Sequence, residues 1–290
     1  MSPRIPPTVV TGSAAQVPPE IARQLGIVNL PLGIYVNGKA YRDGIDLVPG
    51  ELYQKMRNEK LDVKTAAPSV GEYYQCFKGI IHTGGQEILC LTISGRLSSD
   101  YSSANNAAQM IRAEFPDARV VVFDSLRAAV PQGLLAIEAA KKLNEGESLD
   151  KVVEFLTPAR QRTTLIAALD TLKYLAQGGR IGKAAYLVGS SLQIVPILMI
   201  NNEGIVAPAT IVRKKERTIP TIISLLNKHT QGFKKISIAV MHADALEQAT
   251  LLQQSLQSLF PQLEIPIDEF TPVMGAHAGP GLVGLGYYYE

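Results

Sequence analysis

Short β-branched runs alternate along the chain with stretches whose apolar residues recur every three or four positions, a pattern that predicts alternating strands and helices. Residues 5–10 read as a first strand. Pro18-Pro19-Glu20 opens a helix that Gly26 closes, with proline just inside the start and glycine past the end. Ser69 and Glu72 have capping-box spacing, so a helix begins there and runs to about His82. A strand over 88–93, a serine-rich turn, a helix over 102–115 and a strand over 119–123 follow. Two more helices are predicted over 130–143 and 149–159. Strands and helices alternating at this spacing predict a mostly parallel sheet covered on both faces.

The texture changes after about Thr163. Segments 164–169 and 194–200 read as buried strands, and Asn201-Asn202-Glu203-Gly204 as a hairpin turn into 205–212. A helix over 219–227, a strand over 236–241, a helix over 245–259 and strands at Ile265 and Leu282 complete a second unit. The expected fold is α/β with two α/β domains, 1–162 and 163–290. The first has a mostly parallel sheet with helices on both faces and the second is mixed. A ligand cleft between domains is a common arrangement.

The 290 residues suffice for two ordinary domains, and 46% hydrophobic with 19% charged residues describes a globular chain on the apolar side of average. A net charge of +2 argues against a nucleic-acid footprint. The sequence has neither an apolar signal core nor an apolar run of roughly 18 residues, so cytoplasmic localisation without stable membrane insertion is expected. Cys76 and Cys90 lack metal spacing and read as small apolar side chains.

Candidate chemistry gathers in glycine- and serine-rich turns. Met274-Gly275-Ala276-His277-Ala278-Gly279-Pro280-Gly281 sets one imidazole among glycines, which reads as a loop wrapped around a ligand, with no acid or metal ligand beside it. Gly178-Gly179-Arg180-Ile181-Gly182-Lys183 is one residue short of a nucleotide-binding loop and has Ala184 where a hydroxyl is required, so it reads as a helix C-cap presenting Arg180. Gly279–Gly284 matches the dinucleotide string but has no helix after it. Ser94-Gly95-Arg96-Leu97-Ser98-Ser99 follows a parallel strand and precedes a helix, where open α/β sheets bind anions. Ser94, Asp124 or Asp170, and His277 offer the residue types of a hydrolase triad, but the GxSxG elbow is missing. The run Val212–Arg217 reads as a solvated helix start.

Several blocks together resemble the DegV family of bacterial fatty-acid-binding proteins. They include Thr11-Gly12-Ser13 after the first strand, Tyr41–Leu47, Lys64-Thr65-Ala66-Ala67-Pro68-Ser69 and Ile93–Ser98. Asp170–Leu175, Gly178–Lys183, Pro196-Ile197-Leu198 and the His277 segment complete the set. The resemblance implies a carrier that buries a long-chain fatty acid between its domains and uses no cofactor. It implies that Thr65, Ser94 or Ser98 (with Gly95) and His277 (with Ala278 and Gly279) hold the carboxylate, with Arg180 beside the histidine. It also implies that a separate fatty acid kinase catalytic subunit phosphorylates the acid, the carrier itself performing no chemistry. A monomer is expected. The chain departs from the family pattern at Gly12, where an acid is usual, and in Ser94–Asp100, where Arg96 and Asp100 bring charge into the turn. A serine esterase and a lipid-sequestering or sensing protein without a kinase partner are the alternative readings.

Overall fold

In the computed structural model, which describes residues 5–189 and 194–290, the strands form a four-stranded, a six-stranded and a small three-stranded sheet. The first segment runs β1 (Thr8–Gly12), α1 (Pro19–Leu25), β2 (Val28–Leu30), β3 (Gly33–Val36), β4 (Lys39–Arg42), α2 (Pro49–Asn58) and β5 (Val63–Ala66). It continues through α3 (Val70–His82), β6 (Glu87–Thr92), α4 (Asp100–Glu114), β7 (Arg119–Asp124), α5 (Val130–Asn144) and α6 (Leu149–Ala159). Then come β8 (Thr163–Ala168), α7 (Lys173–Gln177), β9 (Val195–Ile200), β10 (Val206–Val212), α8 (Thr218–His229) and β11 (Ile236–Ala243). The last elements are α9 (Leu246–Leu259), β12 (Ile267–Glu269), α10 (Pro272–Ala278) and β13 (Leu282–Tyr289).

The four-stranded sheet, in the order β2-β1-β6-β7, is parallel throughout. Its two central strands, β1 and β6, bury both faces with a period of two. Val9, Leu89 and Leu91 pack with Leu135 of α5 and Val152 of α6, whereas Val10, Ile88 and Cys90 pack with Phe77 of α3 and Ile111 of α4. The start of α3 is fixed locally, because Ser69 Oγ accepts from the Glu72 amide and Glu72 accepts from the Ser69 amide. The first strand begins at Thr8 rather than Ile5, which is exposed.

The six-stranded sheet is mixed, in the order β10-β9-β8-β13-β11-β12, and the turn at 201–204 joins antiparallel β9 and β10 as expected. One face packs Ile166, Val240 and Leu285 against Leu226 of α8 and Leu252 of α9. On the other face, Ala167, Leu198 and Met241 share a core with Leu32, Ile34 and Ile93 from the first half of the chain. Helix α5 is buried nearly all round because it touches both large sheets. A Cβ on Gly286 of β13 would lie 2.7 Å from Val130 Cγ1, so glycine there lets α5 rest directly on the strand.

Two features were not read from the sequence. Residues 33–66 fold into a three-stranded antiparallel sheet, β4-β3-β5, accompanied by α2. Its strands have only four residues each, too few for an alternation to stand out. The second is a clamp made by Arg127, only 1% exposed. Its guanidinium donates to Thr163 O (2.5 Å), Leu126 O (2.8 Å), Asn201 O (2.9 Å) and Asn202 Oδ1 (3.0 Å). The loop after β7 is thereby tied to the start of β8 and to the β9–β10 turn.

Candidate functional site

A cavity of about 390 Å³ lies between these elements, within the roughly 300–1,000 Å³ usual for small-molecule sites. Most of its wall is apolar. Leu165 and Ala167 come from β8, Leu198 and Ile200 from β9, and Val273 from α10, while Leu32, Ile93 and Ala128 belong to the first half of the chain. Polar groups reach the wall at Thr65, Ser98, Ser99, Arg180 and His277.

Thr65, in β5, and His277, in the last turn of α10, meet with Oγ1 and Nε2 2.8 Å apart. The other ring nitrogen, Nδ1, is buried and has no hydrogen-bond partner among the described residues. Gly178, at the C-cap of α7, closes over that nitrogen so tightly that a Cβ there would stand 2.4 Å from it. Burial, and then the neighbouring Arg180 charge, pull the imidazole pKa down to about 4, so the ring is neutral at pH 7. Arg180 donates to the carbonyls of Leu97 (3.0 Å) and Gly178 (2.5 Å) and, among the described residues, pairs with no carboxylate. Ser98 Oγ accepts from the Asp100 amide at 3.2 Å, leaving its proton free to donate. A cation, two hydroxyls and an imidazole thus share the wall of a largely apolar void, an arrangement suited to a buried anion with an apolar tail.

Of the residues singled out in the sequence, Thr65, Ser98, Arg180, His277 and Ala278 line the cavity. Ser94 is fully buried beneath it and donates to Gly204 O at 2.8 Å, so this serine pins the turn to the β9–β10 hairpin. Gly95 lies on the outer side of the turn. Gly279 caps α10 at φ +74°, where a Cβ would strike the Tyr174 ring. The expectation of a glycine loop around His277 is corrected, since residues 272–278 are helical. Gly275 serves close packing instead, because a Cβ there would meet Tyr53 Oη at 2.3 Å.

The supports of this helix were missed in the sequence. Buried Asp43 accepts from the Val273 amide (2.9 Å) and from Ser13 Oγ (2.7 Å), placing a carboxylate at the N-terminus of α10. Burial raises its pKa, against the lowering effect of those hydrogen bonds. Ser13 Oγ in turn accepts from the Leu32 amide at 3.0 Å, and Tyr53 Oη donates to Phe270 O at 2.8 Å. Asp43 lies in one of the blocks that carry the family resemblance, but a bond to a residue 230 positions away leaves no local signal.

Among the described residues no cluster of metal-binding side chains occurs, and no helix is long and apolar enough to cross a membrane. A DegV domain-containing protein from Halalkalibacterium halodurans is 29% identical over 282 residues, covering 97% of this chain and 98% of the relative. A solved structure of fatty acid binding in a DegV family protein from Thermus thermophilus superposes with a TM-score of 0.90 at 30% identity, covering 99% and 100% of the two chains. A stearic acid-binding protein from Eubacterium ventriosum superposes with a TM-score of 0.88 at 26% identity, covering 97% of each chain. The family model described as the uncharacterised DegV family matches residues 7–290. The chain belongs to the DegV family.

Proposed function

We propose that the protein binds a long-chain fatty acid in the 390 Å³ cavity and hands it to a separate fatty acid kinase, performing no catalysis alone. The carboxylate meets Thr65, Ser98, Arg180 and His277, and the acyl chain fills the apolar remainder. The observation that carries this reading is an apolar void bordered by a guanidinium that, among the described residues, has no carboxylate partner and by an imidazole with a buried nitrogen that has no hydrogen bond among them. The fatty acids bound by the Thermus and Eubacterium relatives support it. About 0.8 kcal/mol per buried methylene gives roughly 12 kcal/mol as an upper limit for a tail of about fifteen. That exceeds the ordering costs of several kcal/mol.

The reading also takes 1–162 and 163–290 as two domains with the ligand between them. Strands of the parallel sheet all end by Asp124 and those of the six-stranded sheet all begin at Thr163 or later. The carrier acts as a cytoplasmic monomer that needs no cofactor.

A second reading has one observation in its favour, since Thr65 and His277 have the spacing of a hydroxyl nucleophile and its base. Nothing orients the ring from Nδ1, however, and Ser94 is already bonded to a carbonyl. Turnover of a chromogenic ester, lost in Thr65→Ala, would favour hydrolysis over carriage.

Mass spectrometry of lipid extracted from the purified protein is the direct test, with free long-chain fatty acid as the expected result. A stable preparation without it, and unable to take up oleate, sinks the proposal. Addition of a fatty acid kinase and ATP should then give acyl phosphate, whereas lipid binding without phosphorylation would favour sequestration or sensing. His277→Ala removes a hydrogen bond to a charged group, worth about 1.5–3 kcal/mol, so oleate affinity should fall roughly 10- to 150-fold. Gly178→Ala should also weaken oleate, because its Cβ would crowd His277 Nδ1 while its φ of −75° suits alanine. Wild-type affinity in both variants would remove His277 from the site.

A further inference from the structure

The turn that delivers Ser98 to the lipid cavity also has an outer face. There a second cavity of about 500 Å³ is walled by Gly95, Arg96, Ser98, Ser99, Gly179 and Arg180, among others. It adjoins the first along Leu97, Ser98, Ser99 and Arg180, which line both.

Two guanidinium groups therefore border one small space. Arg180 is held by backbone carbonyls alone. Arg96 is exposed and, among the described residues, forms no ion pair, and Glu203, which feels its charge, is bound to Lys183 at 2.9 Å. No acidic residue lines the outer cavity. Asp124, just behind it, accepts from the Gly95 and Leu126 amides, and the Asp100 carboxylate turns inward to Tyr73 and the Ile93 amide. The Ser98 hydroxyl proton is free to donate. Guanidinium forks and hydroxyl donors pair with phosphate as well as with carboxylate, and two cations bordering one space match a dianion in charge.

We propose that the outer cavity is a subsite for a phosphate oxyanion, with Arg96 as its distinguishing ligand and Arg180 shared with the carboxylate site. Two sources share this chemistry, a phosphoryl group attached to the head of the bound lipid and free inorganic phosphate. The first source rests on the fatty-acid reading and the second does not.

Three probes separate the possibilities in titrations of the wild type and Arg96→Ala. They are palmitate, 2-oxoheptadecylphosphonate (a non-hydrolysable mimic of an acyl phosphate) and inorganic phosphate at millimolar concentration. Arg96→Ala should weaken the phosphonate at least about tenfold, the loss expected for one charge-assisted contact, and leave palmitate affinity unchanged. Arg96→Lys should restore part of the loss. A thermal shift by inorganic phosphate in the wild type but not in Arg96→Ala assigns the subsite to free phosphate as well. Its absence, with the phosphonate effect intact, assigns the subsite to the lipid-borne group. Equal losses for palmitate and phosphonate, or no loss in any arm, overturn the proposal. Phosphate protection that depends on Arg96 in a protein that binds neither lipid would sink the fatty-acid reading and keep the subsite.

Discussion

Arg127→Leu is expected to lower the unfolding free energy by about 3–5 kcal/mol, read as a shift of the urea midpoint at constant slope. Burial brings the Arg127 pKa down to about 10, so the group is still charged at neutral pH. Among the described residues no carboxylate accompanies it, and its charge is solvated by three carbonyls and the Asn202 amide oxygen. Leucine fills much of the volume but leaves those acceptors dry. Arg127→Lys should recover only part of the loss, because one ammonium cannot reach acceptors arranged around a planar fork. Because the clamp spans the first and second halves of the chain, the leucine variant should also, on the proposed function, release lipid more readily. Stability within about 1 kcal/mol of wild type would mean that water enters and takes over the hydrogen bonds.

The second large effect is one of pH. The His277 pKa is about 4 in the folded protein, against 6.5 ordinarily. Between these values the unfolded chain binds a proton that the folded chain excludes, so this contribution to stability is complete above pH 6.5 and disappears as the pH falls toward 4. For the ligand-free protein it amounts to roughly 3 kcal/mol at most. Asp100 and Asp268 act oppositely. Burial lifts each to about 6, so their contribution is complete below 3.8 and is lost as the pH rises through 6. The comparison with His277→Gln isolates the histidine. Relative to wild type, the glutamine variant should gain stability steadily from pH 6.5 to 4. A difference that stays flat across that window would place the ring in water. Bound fatty acid should flatten it too, since a carboxylate beside the imidazole favours the protonated form.

What the sequence disclosed depended on how far apart the interacting residues lie. The Ser69–Glu72 capping box spans three residues, and it located α3 correctly. Helix α6 was bounded at Leu149 and Ala159 from its apolar spacing alone. The alternating cores on either side of β6 are why the strand read over 88–93 is apolar at nearly every position. His277 was found as a chemical group but assigned the wrong backbone. Gly275 looked like a loop residue, although its lack of a side chain makes room for Tyr53 from α2. Ser94 stood at the right end of the right strand, yet its hydroxyl is occupied by Gly204, 110 residues later, and Ser98 faces the void instead. The sheet formed by β3, β4 and β5 escaped notice because four-residue strands carry almost no periodicity.

The bond between Asp43 and Val273 and that between Thr65 and His277 join residues more than two hundred positions apart. During synthesis the parallel sheet can form early, while the surfaces that will enclose the ligand stay open until α10 and β13 leave the ribosome. If the protein carries a fatty acid as proposed, a nascent chain has no means of retaining an acyl group, and loading is an event of the finished molecule. Closing such distant contacts is slow, so newly made protein passes through an interval in which its greasy interior lies exposed to other chains.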